Sequence, residues 1–220
     1  MKAKDLVWVL TLGAITGFVM IPITNALFTQ ATTAYPYLMG FIKTAILATM
    51  GEMLVMRIKS GNYLVGKELF LKAIVWGFLG MIFVLIFKVF SAGVESAQAS
   101  QLLPMISQNE TLNLIWLAFL ISLIMNLCFA PSFMLLHRIT DGFIEQANGS
   151  LRHIKNVSLK RVVDAIDFNR FFGFALFKTI PLFWIPAHTI TFILPETYRV
   201  LMASYLSIVL GILLTIAKKK

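Results

Sequence analysis

Leu69–Ala92 reads "LFLKAIVWGFLGMIFVLIFKVFSA". Only Lys72 and Lys88 carry charge in it, each near one end. A helix rises about 1.5 Å per residue, so about 20 apolar residues cross a hydrocarbon core roughly 30 Å thick. The run is long enough to span. Its two lysines are placed to snorkel to the headgroups. Gly77 and Gly80 lie inside the apolar run and read as packing positions, not as a phosphate loop.

Five more runs flank this one: Leu6–Phe28, Tyr37–Arg57, Leu112–His137, Phe171–Leu194 and Tyr198–Ala217. The expected fold is therefore all-α: a polytopic transmembrane helix bundle of about six spans, forming one domain over residues 1–220. Composition agrees. Of 220 residues, 59% are hydrophobic and 13% charged, with a mean hydropathy of +0.84. Soluble domains are about 45–50% apolar and about 25% charged. The first run is too long for a signal-peptide core, which takes about 7–15 residues, and reads as a retained anchor. The single cysteine, Cys128, excludes an internal disulfide.

Lys and Arg distribute with alternating parity. Lys2 and Lys4 precede the first span, and Lys59 and Lys67 lie between the second and third. Arg138, Arg152, Lys155, Lys160, Arg161 and Arg170 lie between the fourth and fifth, and Lys218, Lys219 and Lys220 close the chain. Intervening connections carry none, apart from Arg199 at the start of the last span. The positive-inside rule then puts both termini in the cytoplasm. The net charge of +9 is spread along membrane boundaries, which points to anionic lipid headgroups and away from nucleic acid. No transit-peptide composition precedes the first span, so a prokaryotic plasma membrane is expected, with an organelle membrane as the alternative. The polar segment 140–169 belongs to the inner side. Within it, residues 157–168 have the period of an amphipathic surface helix.

Polar residues inside spans mark function by default. Glu52 and Lys43 share the second span on opposite faces. Glu52 reads either as an interfacial ion pair with Arg57 and Lys59 or as a pathway carboxylate. Asn126 in the fourth span needs a partner across the bundle. Pro131 follows and should kink that helix. Gly13 and Gly17 form GxxxG in the first span. Ala203, Ser207 and Gly211 form a small-residue stripe in the last. Both read as helix-packing surfaces. His137, Asp141 and Glu145 fall at four-residue intervals, a spacing that fits either a salt-bridged helix end or metal ligands. No catalytic motif is present, and neither an enzyme activity, a cofactor nor a metal is expected.

Phe183–Arg199, "FWIPAHTITFILPETYR", is the most unusual span. Pro181 and Pro186 are expected to break the fifth helix and Pro195 to end it. Broken helices are tolerated where backbone faces protein or a water-filled cavity. Trp184, His188 and Thr191 would then line a pathway, with Arg199 at its outer boundary.

This stretch resembles the signature of the Mpv17/PMP22 family of organelle membrane proteins, which runs roughly Trp-Pro, Gln, Asn-Phe, Val-Pro and Tyr-Arg. Trp184, Pro186, Phe192, Pro195, Tyr198 and Arg199 match, with His188 for the Gln and Thr191 for the Asn. Tyr205-Leu206-Ser207 is similar to a late family Tyr-Leu-Ser. Upstream, Gly51 and Glu52 resemble the Gly-Asp of Gly-Asp-x-x-x-Gln, with Met56 for the Gln. Phe129, Ala130 and Pro131 resemble the end of Asp-Gln-x-Phe-Ala-Pro, with Met125 and Asn126 for Asp-Gln. The resemblance covers about Tyr35 to Ser207. It implies four to five spans rather than six, pore-like permeability to small solutes and no catalytic chemistry.

The expected function is thus a small-solute channel or transporter-like protein. Its pathway candidates are Glu52, Asn126, Trp184, His188, Thr191 and Arg199, with His188 a source of pH sensitivity. The alternatives are a substrate-binding membrane subunit of an uptake system, and a structural or assembly protein. Beyond the bilayer, a homo-oligomer is the expected partner.

Overall fold

The computed structural model describes residues 3–63, 65–107 and 109–217, with side chains to residue 213. Lys2, Lys218, Lys219 and Lys220 of the charge pattern lie outside the described residues. The fold is all-α. The helices are α1 (Ala3–Met20), α2 (Pro22–Ala34), α3 (Pro36–Ser60), α4 (Lys67–Ala99), α5 (Glu110–Cys128) and α6 (Ala130–Gln146). They continue with the short α7 (Leu151–Ile154) and α8 (Leu159–Asp164), then α9 (Phe168–Ile193) and α10 (Glu196–Ala217). Six of these, α1, α3, α4, α5, α9 and α10, are long and apolar enough to cross a membrane. This is an integral membrane protein.

Several boundaries differ from expectation, and proline explains most of them. The first span ends at Met20 rather than running to Phe28. Ile21 is extended (φ −73°, ψ 127°) because Pro22 begins α2, and the residue before proline is pushed out of the α region. The fourth span ends at Cys128 rather than His137, and Pro131 sits in the first turn of α6. Helix then continues through residue 146 into the segment expected to be polar connection. The amphipathic helix expected over 157–168 shrinks to α8, capped by the Ser158 side chain on Arg161 N–H. α4 is about 50 Å long, so it projects past the hydrocarbon core.

Pro181 and Pro186 do not break the fifth helix. Trp184 (φ −68°, ψ −41°) and Ile185 (φ −63°, ψ −52°) are helical, and the Ile185 N–H donates to Ile180 O, five residues back. Thr179 Oγ1 likewise donates to Phe174 O at 3.1 Å. Phe171–Trp184 is wound with this wider turn. In an α-turn the Pro181 ring would strike the carbonyl four residues earlier; widening the turn relieves that contact. Pro195 does end the helix, with Leu194 extended before it (φ −72°, ψ 153°).

α3 is the central element and packs along both α4 and α10, while α5 packs against the end of α9. One apolar core joins α4, α5, α9 and α10 through Phe87, Ala118, Met125, Phe192 and Ala203. Another joins α2, α3 and α10 through Phe28, Leu47, Met50 and Ile208. α3 and α4 touch at Gly40 and Gly80. A Cβ on Gly80 would overlap Gly40 O, and one on Gly40 would lie 2.8 Å from Gly80 O. Only glycine permits that approach.

The two small-residue stripes behave differently. A Cβ on Gly211 would lie 2.6 Å from Val55 Cγ2, Ala203 is buried, and Ser207 Oγ donates to Ser204 O. At Gly13 and Gly17 no atom of the described residues lies within 4 Å of a Cβ placed on either. α1 is peripheral. It is held by Trp8 Nε1 donating to Met50 O (3.1 Å), by Thr16 Oγ1 against Tyr205 OH (2.7 Å) and by Asp5 paired with Arg57 (2.7 Å).

Candidate functional site

At the end of the bundle where α3 finishes and α4 begins, Lys72 is buried rather than snorkelled. Its Nζ stands 3.2 Å from Glu52 Oε2, 3.5 Å from Glu145 Oε1, and 3.8 Å from both Glu68 Oε1 and Asp141 Oδ2. Glu52 also accepts from Trp76 Nε1 at 2.5 Å, and its Oε1 is 3.7 Å from His137 Nε2. Glu52 therefore pairs with Lys72 across helices, not with Arg57, which is held by Asp5. Desolvation raises the Asp141 carboxyl above the ordinary carboxylate range. The Glu52 and Glu145 charges add to that, while His137 and Lys72 oppose it. Glu52, His137 and Asp141 each bring a donor atom to within 4.8 Å of the others, a grouping of metal-ligand type. The positive charge among them is the Lys72 ammonium.

Above this cluster a cavity of about 520 Å³ runs into the bundle. Trp76, Phe83, Phe129, Phe133 and Trp184 give it aromatic walls. Its deep end is polar. Thr44 Oγ1 meets Ser204 Oγ at 3.1 Å, and Asn126 Nδ2 donates to Ser122 O at 2.8 Å and lies 3.1 Å from His188 Nδ1. Ser122 Oγ donates to Ile185 O at 2.7 Å, tying α5 to α9. His188 Nδ1 also lies 3.3 Å from Asn126 Oδ1, so the side-chain amide faces the ring nitrogen with both its donor and its acceptor. The imidazole stacks on Trp184 (5.1 Å, 20°) and meets Phe87 edge-on at 5.8 Å.

A second pocket of about 360 Å³ lies at the opposite end, among Thr32, Lys43, Lys88, Glu196 and Arg199. Phe87 lines both spaces. Its ring is buried and packs on Phe192 at 5.2 Å.

Of the six pathway candidates read from sequence, Glu52, Asn126, Trp184 and His188 line the larger cavity. Thr191 does not: it is fully buried, and its hydroxyl donates back to Ala187 O. Arg199 lines the second pocket. Its guanidinium donates to Leu194 O, Phe192 O and Ser91 Oγ, satisfying carbonyls at the end of α9. Sequence reasoning did not single out Trp76 or Phe87 for the site, and it assigned Lys72 to the headgroups.

No family model matches the chain, and no curated protein or solved structure matches it.

Proposed function

We propose that this protein is a small-solute channel or transporter-like protein of the Mpv17/PMP22 type, closed at Phe87. One observation carries the reading: two cavities at opposite ends of the bundle share one lining residue, the Phe87 ring. The larger cavity is polar at its mouth and at its deep end and apolar between, an arrangement suited to a solute that sheds water and regains hydrogen bonds. The basic residues around the Lys72 end suit a cytoplasmic face.

The test is flux and planar-bilayer conductance of the purified protein. Phe87→Ala is expected to raise flux or opening probability over wild type. Glu52→Gln, which removes a mouth charge, is expected to shift the reversal potential. Silence in both wild type and Phe87→Ala overturns the pathway reading. A second reading has its own support, because Trp184, Asn126 and His188 give the larger cavity the aromatic and hydrogen-bonding groups that suit the substrate-binding subunit of an uptake system. That reading expects tight binding of one small molecule and no conductance.

A further inference from the structure

The second pocket holds an electrostatic imbalance. Lys43, Lys88 and Arg199 line it against one lining carboxylate, Glu196. Glu196 is already engaged, with Lys88 Nζ 2.8 Å from its Oε1. Glu196 and Glu95 act on Arg199 only at a distance, and three of the five guanidinium N–H groups go to Leu194 O, Phe192 O and Ser91 Oγ. Lys43 is 6% exposed and pairs with no carboxylate among the described residues. Its Nζ contacts are Thr197 O at the long distance of 3.5 Å and the Phe28 ring face at 5.2 Å. A buried ammonium is costly without a counter-charge. Thr32, which also borders the pocket, is buried, and its Oγ1 has no hydrogen-bond partner among the described residues. A lysine without a counter-charge and a threonine whose buried hydroxyl is unused thus both border one cavity of about 360 Å³.

We infer that this pocket binds a small oxyanion, a carboxylate or phosphate group, held by Lys43 and Thr32 with Arg199 beside them. A carboxylate or phosphate oxygen supplies what both groups lack: negative charge for the ammonium and an acceptor for the hydroxyl. The group can belong to a soluble organic anion or to an anionic lipid headgroup. Binding stands on the pocket alone. The further step, that the oxyanion is the permeant solute, rests on the pathway reading above.

The experiment is thermal unfolding of the full chain in neutral detergent, titrated with sodium succinate or sodium phosphate against sodium chloride at matched ionic strength. The same measurement is made in phosphatidylcholine nanodiscs with and without phosphatidylglycerol. A saturable rise in Tm is expected, with apparent affinity falling about thirtyfold in Lys43→Gln, as when one partner of a desolvated charge pair is removed. Lys43→Arg should retain the response. Thr32→Val should weaken it severalfold, and it carries the test if Lys43→Gln does not fold. Stabilisation by phosphatidylglycerol alone, lost in Lys43→Gln, supports the site and assigns it to headgroups. An equal response in wild type and Lys43→Gln, or none to either soluble anion or to phosphatidylglycerol, overturns it. Oxyanion binding without flux upholds the pocket and defeats the pathway reading. Conductance without Lys43-dependent binding does the reverse.

Discussion

Lys43 and Lys72 are buried to nearly the same degree, 6% and 7% exposed, in opposite surroundings. Lys72 stands within 4 Å of four carboxylates drawn from α3, α4 and α6. Lys43 has a carbonyl oxygen and a phenyl face. Burial alone therefore says little about a membrane lysine. What separates the two is whether the helices packed against it bring negative charge. One end of the bundle gathers four carboxylates around a buried cation, and the other is short of an anion.

The largest expected effect tests the ionic end. Lys72→Met leaves Glu52, Glu68 and Asp141 without their shared cation, while Glu145 keeps Arg138 at 3.6 Å, so stability should fall by about 3–5 kcal/mol, read as unfolding in mixed detergent. A variant as stable as wild type would mean that the network is a surface feature. A smaller effect follows from Asp141. Its folded-state carboxyl titrates above its unfolded value, so its stabilising contribution is complete below the ordinary carboxylate range and is lost as pH rises through the raised value. Asp141→Asn should remove that decline, giving a flatter Tm-versus-pH curve across mildly acidic pH. An unchanged slope would assign the decline elsewhere. The smallest effect belongs to the other end. Lys43→Met without added anion should match wild-type Tm or exceed it slightly, because the lost charge had no partner. A large loss would show that Thr197 O and Phe28 neutralise Lys43 after all, and the comparison would collapse.

The six spans were legible because an apolar run of span length has few alternative meanings. The site was only half legible, for reasons that differ residue by residue. Asn126 and His188 announce themselves, since each is polar in an apolar run. Lys72 does not, because its partners Glu52, Asp141 and Glu145 are distant in the chain and meet it only through helix packing. Phe87 is one of 19 phenylalanines, and its place between two cavities has no sequence signal. Pro181 and Pro186 misled because the cost of a proline depends on whether the turn around it can widen. The Gly13–Gly17 spacing marks a smooth face on α1, against which no neighbouring helix of the described residues closes. Pro22 was passed over within a run apolar on both sides.

The contact between Gly40 and Gly80 has a mechanical corollary. Two backbones in direct touch have no side chains between them to re-sort into a second packing, and sliding of packed helices depends on such re-sorting. α3 and α4 therefore act as a fixed post. α5 and α9, joined by the Ser122 and Asn126 hydrogen bonds, are the leaf hung beside it. Phe87 rides on the post, while its packing partners His188 and Phe192 ride on the leaf. In the proposed pathway, the closure at Phe87 is thus shared between two differently built pairs of helices.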